Sequence, residues 1–138
     1  MHERPIVVTA AIIRKEGKVL LAQRKKDSRL EAGRWEFPGG KVEFMEDPAD
    51  CIVREIKEEL DMEIAIERLF TLKSHVYKQD GMNVHVILLA YLTDYKSGEL
   101  KNLECQDSRW VDPSELTSFD LVEADKTIVK EFLGYHNY

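Results

Sequence analysis

The stretch over residues 40–62 decides how this chain folds. It begins Gly40-Lys-Val-Glu-Phe-Met-Glu46 and, after seven further residues, continues Arg54-Glu55-Ile56-Lys57-Glu58-Glu59-Leu60-Asp61-Met62. Successive residues of a helix are about 100° apart, so Glu55, Glu58 and Glu59 share one face while the apolar residues share another. The stretch therefore predicts a helix that packs by one face and presents three carboxylates on the other.

Three carboxylates on one helical turn can be interpreted in two ways. Most charged helix faces are simply solvated, and that interpretation stays open at this point. Against it, Glu55 and Glu59 form a like-charged i,i+4 pair, which destabilises a helix by roughly 0.2–0.5 kcal/mol. Arg54 only flanks the cluster and Lys57 points away from it. A divalent cation is the better partner, since hard ions such as Mg²⁺ take carboxylate oxygens as ligands.

Both ends of this helix are marked in the sequence. Asp47 is a suitable N-cap and Pro48 suits the first helical position, so the helix is expected over about residues 48–60. Asp61 follows at the place where a left-handed residue commonly ends a helix. Asp is among the few non-glycine residues that tolerate this conformation at modest cost.

The rest of the chain predicts strands and a second helix. Hairpins are expected from residues 6–13 with 19–22 and from 64–77 with 84–92, the last strand being buried on both faces, and shorter strands at 35–37 and 110–111. Asp120 and Glu123 resemble a capping box that opens a C-terminal helix over about residues 121–133. The predicted fold class is α/β (α+β), a sandwich of helices around a mixed central sheet.

Composition and charge limit the kind of molecule. The 138 residues contain no linker or repeat, so residues 1–138 are expected to form a single domain without a membrane segment. A net charge of -6 argues against binding a nucleic-acid polymer, but a metal ion can still bridge carboxylates to one short polyphosphate. Cys51 and Cys105 have neither metal-site nor disulfide spacing, which favours a cytoplasmic location.

The pattern Gly40-x5-Glu46-x7-Arg54-Glu55-Ile56-x-Glu58-Glu59-x-Asp61-Met62 resembles the Nudix box, the signature of hydrolases that cleave nucleoside diphosphates linked to another group. Asp61 is the one departure, because the family pattern has glycine there. The resemblance covers most of the chain and is closest to the MutT-like branch, the nucleoside triphosphate pyrophosphohydrolases. Arg24, Glu36 to Lys41, Glu104 and Ala124-Asp125 fall at corresponding places.

The resemblance implies a Mg²⁺ site, with Mn²⁺ as a substitute, and roles for particular residues. Arg54 would hold the glutamates through ion pairs, and Glu46 would be an auxiliary carboxylate. Glu55, Glu104 and Glu46 all remain candidates for the general base. Arg24, Gly40 and Lys41 would contact the substrate. The implied metal ligands are the carbonyl of Gly39 and the carboxylates of Glu55, Glu58, Glu59 and Glu104.

The C-terminal helix offers a clue about the substrate. Asp125 lies within its apolar stripe, and a buried acid needs a partner. Either the first turn emerges at the domain edge and Asp125 is wet, or Asp125 recognises a base by accepting hydrogen bonds from cytosine or guanine. The matching residue in the oxidised-guanine branch is asparagine. Phe37 is either a base-stacking residue or plain core.

The predicted function is therefore Mg²⁺-dependent hydrolysis of a nucleoside triphosphate, either CTP- or dCTP-like or modified, to a monophosphate and pyrophosphate in nucleotide-pool housekeeping. Alternatives are a Nudix hydrolase of nucleotide sugars or dinucleoside polyphosphates and a Nudix module that binds nucleotides without catalysis. The sequence leaves the base, the sugar and the choice between monomer and homodimer open.

Overall fold

The computed structural model describes residues 3–135, and these form a mixed sheet with one long helix on each face. The ends of the predicted domain, residues 1–2 and 136–138, lie outside the described part. No helix within residues 3–135 is long and apolar enough to cross a membrane. The elements are β1 (Ile6–Lys15), β2 (Lys18–Gln23), β3 (Trp35–Glu36), β4 (Gly39–Lys41), α1 (Pro48–Leu60), β5 (Glu63–Gln79), β6 (Met82–Ser97), β7 (Asp107–Val111), a 3-10 helix (Pro113–Ser118) and α2 (Glu123–Leu133).

The sheet is mixed because its two central strands, β1 and β6, run parallel while all other pairs are antiparallel. The main order is β3-β2-β1-β6-β5, with β4 beside β1 and β7 beside β2. β1 and β2 pair only next to their turn and then separate. The segment of residues 35–41 fills the opening, since β3 pairs with β2, β4 pairs with β1, and the carbonyl of Pro38 accepts from the amide of Ala11 at 2.7 Å.

Each face of the sheet has its own apolar core, which explains why β1 is almost continuously apolar. Alternate residues of β1 point to opposite faces, so Ala11 and Ile13 pack under α1 while Ala10 and Ile12 pack under α2. The buried residues of α1 in the first core are Ile52, Ile56 and Leu60, and those of α2 in the second are Ala124, Ile128, Val129 and Phe132.

α1 begins and ends where the sequence predicts. The Asp47 side chain accepts from the amide of Ala49 at 2.8 Å, which satisfies one of the free amides of the first turn. Asp61 takes the left-handed conformation, with φ 57° and ψ 38°, and its amide donates to the carbonyl of Lys57. The one residue that departs from the expected glycine therefore still ends the helix.

The second hairpin is longer than predicted and is buried only in part. β5 and β6 meet at a turn in which Asp80 and Gly81 both have positive φ, as a two-residue hairpin requires. The prediction that residues 84–92 are buried on both faces is wrong for the first half, because Val84, His85, Val86 and Ile87 are only half-buried. β1 reaches β6 only from Val86 onward, so the part of β6 before Val86 has β5 as its only neighbouring strand among the described residues, and β5 is itself the edge of the sheet.

The start of α2 also differs from the prediction. α2 begins at Glu123, and its N-cap, Val122, has no side-chain capping bond. Asp120 cannot cap the helix because residues 120–122 are extended beside Trp35, which donates to the carbonyl of Asp120 and accepts from the amide of Val122. The amide of Glu123 is instead bound at 2.8 Å by the carboxylate of Glu31, which comes from the loop between β2 and β3.

Candidate active site

Two adjacent glycines bring the backbone of β4 against α1 and β1. A β-carbon on Gly40 would lie 2.2 Å from Cδ of Glu55, and one on Gly39 would lie 2.0 Å from the carbonyl oxygen of Thr9. At Gly39 the obstacle is backbone, so only glycine fits there, whereas a side chain at Gly40 would displace the carboxylate of Glu55. The pair places the carboxylate of Glu55 directly on the backbone of the segment that fills the opening between β1 and β2.

A cavity of about 250 Å³, the acidic cavity, lies beside this contact and collects carboxylates from three parts of the chain. Glu104 is exposed and lies in the loop after β6, which is attached to the site because Leu103 donates to the carbonyl of Glu59 and Gln106 to that of Gln23. Four of the five predicted metal ligands line the cavity, namely Gly39, Glu55, Glu59 and Glu104. Its lining residues are Arg24, Lys25, Ser28, Glu36, Gly39, Glu55, Glu59 and Glu104.

Glu59 is the most strongly perturbed carboxylate of the acidic cavity. Burial raises its pKa to about 8, and the like charges of Glu36, Glu55 and Glu104 act in the same direction, while a backbone hydrogen bond at Gly39 opposes them. Burial also raises the pKa of Glu55, against the opposing effect of Arg54. The cavity therefore accumulates negative charge that the protein compensates only in part.

Arg54 is the central cation of the neighbouring network and does more than flank the cluster, as the helical spacing had suggested. It donates to Glu46 at 2.7 and 3.0 Å, to Glu55 at 3.0 Å and to Glu58 at 2.9 Å. These hydrogen bonds, above all those to Glu46, raise the pKa of Arg54 and lower that of Glu46 to about 2. The ion pairs that the resemblance implies for Arg54 are present.

Three further predicted site residues contact Arg54 and do not line the acidic cavity. Glu58 is half-exposed and engaged with Arg54. Glu46 is held by Arg54, and its Oε1 also accepts from the amide of Glu43. The side chain of Lys41 is exposed at the end of β4, and only its carbonyl takes part in the network, by accepting from Arg54 at 3.4 Å.

The donor set of the acidic cavity suits a hard cation. Residues 3–135 contain no set of three or more His, Cys, Asp or Glu side chains already spaced to enclose a metal ion. The chemistry nevertheless fits, because the cavity offers carboxylate oxygens and the Gly39 backbone, and a divalent cation would relieve the repulsion that raises the pKa of Glu59. Cys51 is fully buried, and its sulfur lies 3.4 Å from the hydroxyl of Thr9, so it fills space beside the site.

A second cavity of about 230 Å³, the Asp125 cavity, adjoins the acidic cavity. Asp125 is only 3% exposed, so the interpretation that it is wet at the domain edge is wrong. Its Oδ2 accepts from the amide of Phe37 at 2.8 Å, while the Phe37 ring belongs to the core and lines the cavity. The cavity is lined by Val8, Thr9, Ala10, Arg24, Leu30, Glu31, Glu36, Phe37, Gly39, Gly40, Tyr77, Val86, Leu88, Val122, Ala124 and Asp125.

The electrostatics of Asp125 differ from the ionised acceptor that the sequence suggested. Burial raises its pKa well above the ordinary value, the nearby carboxylate of Glu36 adds to the effect, and the Phe37 amide opposes it. A neutral carboxyl group both donates and accepts hydrogen bonds, as an asparagine side chain does. Burial therefore favours the protonated form of Asp125, which presents a donor next to an acceptor.

Arg24 and Glu36 connect the two cavities, since both side chains line both. Arg24 donates to Glu36 at 3.3 Å and to the carbonyl of Leu30 at 2.9 Å, which fixes the loop between β2 and β3. Burial raises the pKa of Glu36, and Arg24 opposes the shift. The resemblance implies a role for Arg24 but none for Glu36. The available signal for Glu36 was its position between two apolar residues, Trp35 and Phe37, which are both buried.

Comparison with known proteins places this geometry in a family. The model of the NUDIX domain matches residues 3–132. The chain is 38% identical to the CTP pyrophosphohydrolase of Escherichia coli (strain K12) over 129 residues, 94% of this chain and 92% of that one. It is 37% identical over 121 residues, 88% of this chain and 82% of the other, to a Mycobacterium tuberculosis (strain ATCC 25618 / H37Rv) protein whose name proposes 8-oxo-dGTP diphosphatase activity.

Solved structures agree with the sequence comparison. The crystal structure of the MutT protein from Methanosarcina mazei Go1 superposes with a TM-score of 0.85 at 25% identity, and the match covers 100% of both chains. It shares the mixed sheet and the helices described above. With a family model that covers nearly the whole chain and relatives above 30% identity, this chain belongs to the Nudix hydrolase family, in its MutT-like branch.

Proposed function

We propose that this chain hydrolyses a nucleoside triphosphate to a nucleoside monophosphate and pyrophosphate, with Mg²⁺ as the cofactor and a cytidine nucleotide as the preferred substrate. The observation that supports it best is the pair of adjoining cavities, which share Arg24, Glu36 and Gly39. One is acidic and suits metal-bound phosphates. The other ends at a buried carboxyl group and suits a base.

The metal would be held by the Gly39 carbonyl and by Glu55, Glu59 and Glu104, which line the acidic cavity. Glu58 would join them only by exchanging Arg54 for the cation. When bound, Mg²⁺ polarises phosphoryl oxygens and lowers the pKa of a water molecule, and Mn²⁺ can substitute. Arg54 supports the site by anchoring α1 to Glu46 and thereby orienting Glu55.

These contacts reduce the number of candidates for the general base. The attacking water gives a proton to a carboxylate, and the oxygen of that water bonds to a phosphorus of the α–β phosphoanhydride. The bond from that phosphorus to the bridging oxygen breaks, which separates the nucleoside monophosphate from pyrophosphate. Glu46 is a poor proton acceptor, since two hydrogen bonds from Arg54 hold its pKa at about 2. Glu55 and Glu104 line the cavity and remain the candidates.

The proposed nucleobase of the substrate follows from Asp125. With Oδ2 accepting from Phe37, a neutral Asp125 would still accept from an exocyclic amine and donate to an adjacent ring nitrogen. Cytosine offers that arrangement at its amine and N3. The similarity to a CTP pyrophosphohydrolase favours the same substrate. Oxidised guanine nucleotides are the second candidate, because a second relative carries that activity in its name.

A pyrophosphate-release screen tests the proposal. Purified protein with Mg²⁺ is given the normal, methylated and oxidised nucleoside triphosphates, together with nucleotide sugars and dinucleoside polyphosphates. Release of pyrophosphate, with CMP from CTP or dCMP from dCTP, is the expected result. Preferred cleavage of a sugar or dinucleoside substrate would overturn it in favour of another Nudix activity. Calorimetric binding of nucleotides without hydrolysis would indicate a non-catalytic module.

A further inference from the structure

A carboxylate outside the metal site joins three elements around the Asp125 cavity. Glu31 lies in the loop between β2 and β3, has a side chain only 13% exposed, and takes the left-handed conformation at φ 50°. Its Oε2 accepts from Arg34 at 3.0 Å and from the amide of Glu123 at 2.8 Å. Glu31 also faces the hydroxyl of Tyr77 on β5, since both residues line the Asp125 cavity, and burial together with the Glu31 carboxylate raises the pKa of Tyr77.

Tyr77 completes this arrangement from the opposite side. Its side chain is half-buried and lines the same cavity as Ala124 and Asp125, and the backbone of Ala124 partly offsets the rise in the pKa of Tyr77. The first amides of α2 have no partner within the helix, and the N-cap residue Val122 supplies none through its side chain. Glu31 supplies a partner for the amide of Glu123 from the loop between β2 and β3, and Tyr77 lies beside the same turn in the cavity lining.

The contacts determine the shape of the Asp125 cavity. Asp125 is the third residue of α2, so the first turn that Glu31 and Tyr77 hold is the turn that carries it. Glu31 and Tyr77 themselves line the cavity, with Leu30 beside them. A second ion pair at the surface, between Arg29 and Asp80, connects the same loop to the turn of the second hairpin. Two walls of the cavity and the turn that carries Asp125 therefore meet at the neighbouring side chains of Glu31 and Tyr77.

We propose that Glu31 and Tyr77 act as one unit that determines base selectivity. Tyr77 contacts the base as the outer wall of the cavity, and Glu31 is a positioning residue that holds Tyr77 and the first turn of α2. The inference rests on the proposed function, because it assigns the Asp125 cavity to the base. The phosphates and the metal lie in the acidic cavity, which neither residue lines. Breaking the pair therefore relaxes the choice among bases and leaves the chemical step in place.

Steady-state kinetics of Tyr77→Phe, Glu31→Gln and the double variant test the unit. Tyr77→Phe keeps the ring and removes the hydroxyl, and Glu31→Gln keeps an acceptor and removes the charge. Each single change is expected to lower the ratio of kcat/KM between the preferred and the next-best nucleoside triphosphate by about tenfold, through a higher KM for the preferred base. The double variant should lose no more than the worse single one, because partners in one contact are not additive.

Val76→Ala is the matched control, since Val76 adjoins Tyr77 on β5 but is 54% exposed and lies outside both cavities. Its selectivity should equal that of the wild type. Thermal unfolding of every variant confirms that the fold is retained. Unchanged selectivity in both single variants would overturn the inference, as would a kcat that falls equally for all bases.

The same experiment separates this inference from the proposed function. Pyrophosphate release by the wild type tests the proposed function alone. If the wild type releases none, calorimetric affinities for the same nucleotides in the wild type and variants replace the kinetic ratio. An affinity ratio that the variants leave unchanged then overturns the role of Glu31 and Tyr77, and a reduced ratio supports it.

Discussion

At the scale of single residues, two buried carboxyl groups divide the site. Glu59 lies among other carboxylates, and its raised pKa of about 8 reflects burial plus their like charge. Asp125 lies at the end of an apolar cavity, where burial is the main cause of its raised pKa and a backbone amide holds one of its oxygens. The first environment favours a cation and the second favours a hydrogen-bonding ligand.

Glu55→Gln should abolish most turnover. The amide cannot accept the proton of water and is a poor ligand for a hard cation, so kcat should fall by at least about 100-fold at saturating Mg²⁺. Pyrophosphate release measures the loss. Glu115→Gln, an exposed acid on the 3-10 helix, is the control and should retain full activity. Near-normal turnover in Glu55→Gln would remove Glu55 from the reaction.

Asp125→Asn should change how stability depends on pH. An acid whose pKa is raised by folding holds its proton more tightly in the folded state, so its contribution is present below the unfolded pKa of about 3.9 and is lost as pH rises. Asparagine has no proton to lose and can still accept from Phe37. The free energy of unfolding should therefore decline less between about pH 4 and 7 in the variant than in the wild type, as urea titrations would measure. Parallel curves for the variant and the wild type would show that folding does not raise the pKa of Asp125.

At the scale of elements, the two long helices begin in different ways. α1 has a local cap in Asp47, and α2 is capped by groups that are distant in sequence. A local motif such as Asp120 with Glu123 can cap a helix only when the residues just before the helix are not held elsewhere. Here the residues before α2 are held beside Trp35. Sequence spacing identifies the first kind of helix start and misses the second.

Asp47→Ala and Asp120→Ala measure that difference. Loss of the Asp47 cap should lower the free energy of unfolding by about 1 kcal/mol. Asp120 is 73% exposed and lies 3.7 Å from Arg34, so its removal should change the free energy by less than about 0.5 kcal/mol. Denaturant unfolding of both variants gives the comparison. Equal losses would mean that Asp120 caps α2 after all.

The end of α1 gives a second pair of variants. The positive φ of Asp61 destabilises the folded state modestly. The ion pairs of Asp61 with Lys57 and Lys101 are partly exposed. Asp61→Gly removes that cost and should be neutral or slightly stabilising, whereas Asp61→Ala keeps it and should destabilise by about 1 kcal/mol. Thermal unfolding decides between them, and catalysis should be unchanged in both. A destabilised glycine variant would mean that the ion pairs outweigh the strain.

At the scale of the whole molecule, the sequence predicted what depends on local pattern. The extent of α1, the second hairpin and the mixed sheet follow from spacing and turn chemistry. The first predicted hairpin is right only next to its turn, because residues 6–13 pair with β4 and β6 and not with residues 19–22. The linking position of Glu36 and the proximity of Glu31 to Tyr77 could not be predicted, because each joins segments whose separation in space only the fold determines.

Removing divalent metal should stop catalysis without unfolding the protein. Both apolar cores are complete without the acidic cavity, so EDTA should leave the circular dichroism spectrum unchanged while pyrophosphate release ceases, and added Mg²⁺ or Mn²⁺ should restore it. Turnover that persists in excess EDTA would contradict the proposed cofactor.

The outer half of the second hairpin has a consequence for behaviour on warming. Tyr77 lies on the edge strand β5, where the neighbouring Leu72 and Val76 are exposed, whereas Glu55 and Glu59 lie on a helix packed over a buried core. Amide hydrogens in the outer hairpin should exchange with solvent well before those of α1, since regions with few buried contacts open at lower free energy. Discrimination between bases should therefore weaken at temperatures at which phosphate cleavage is still fast.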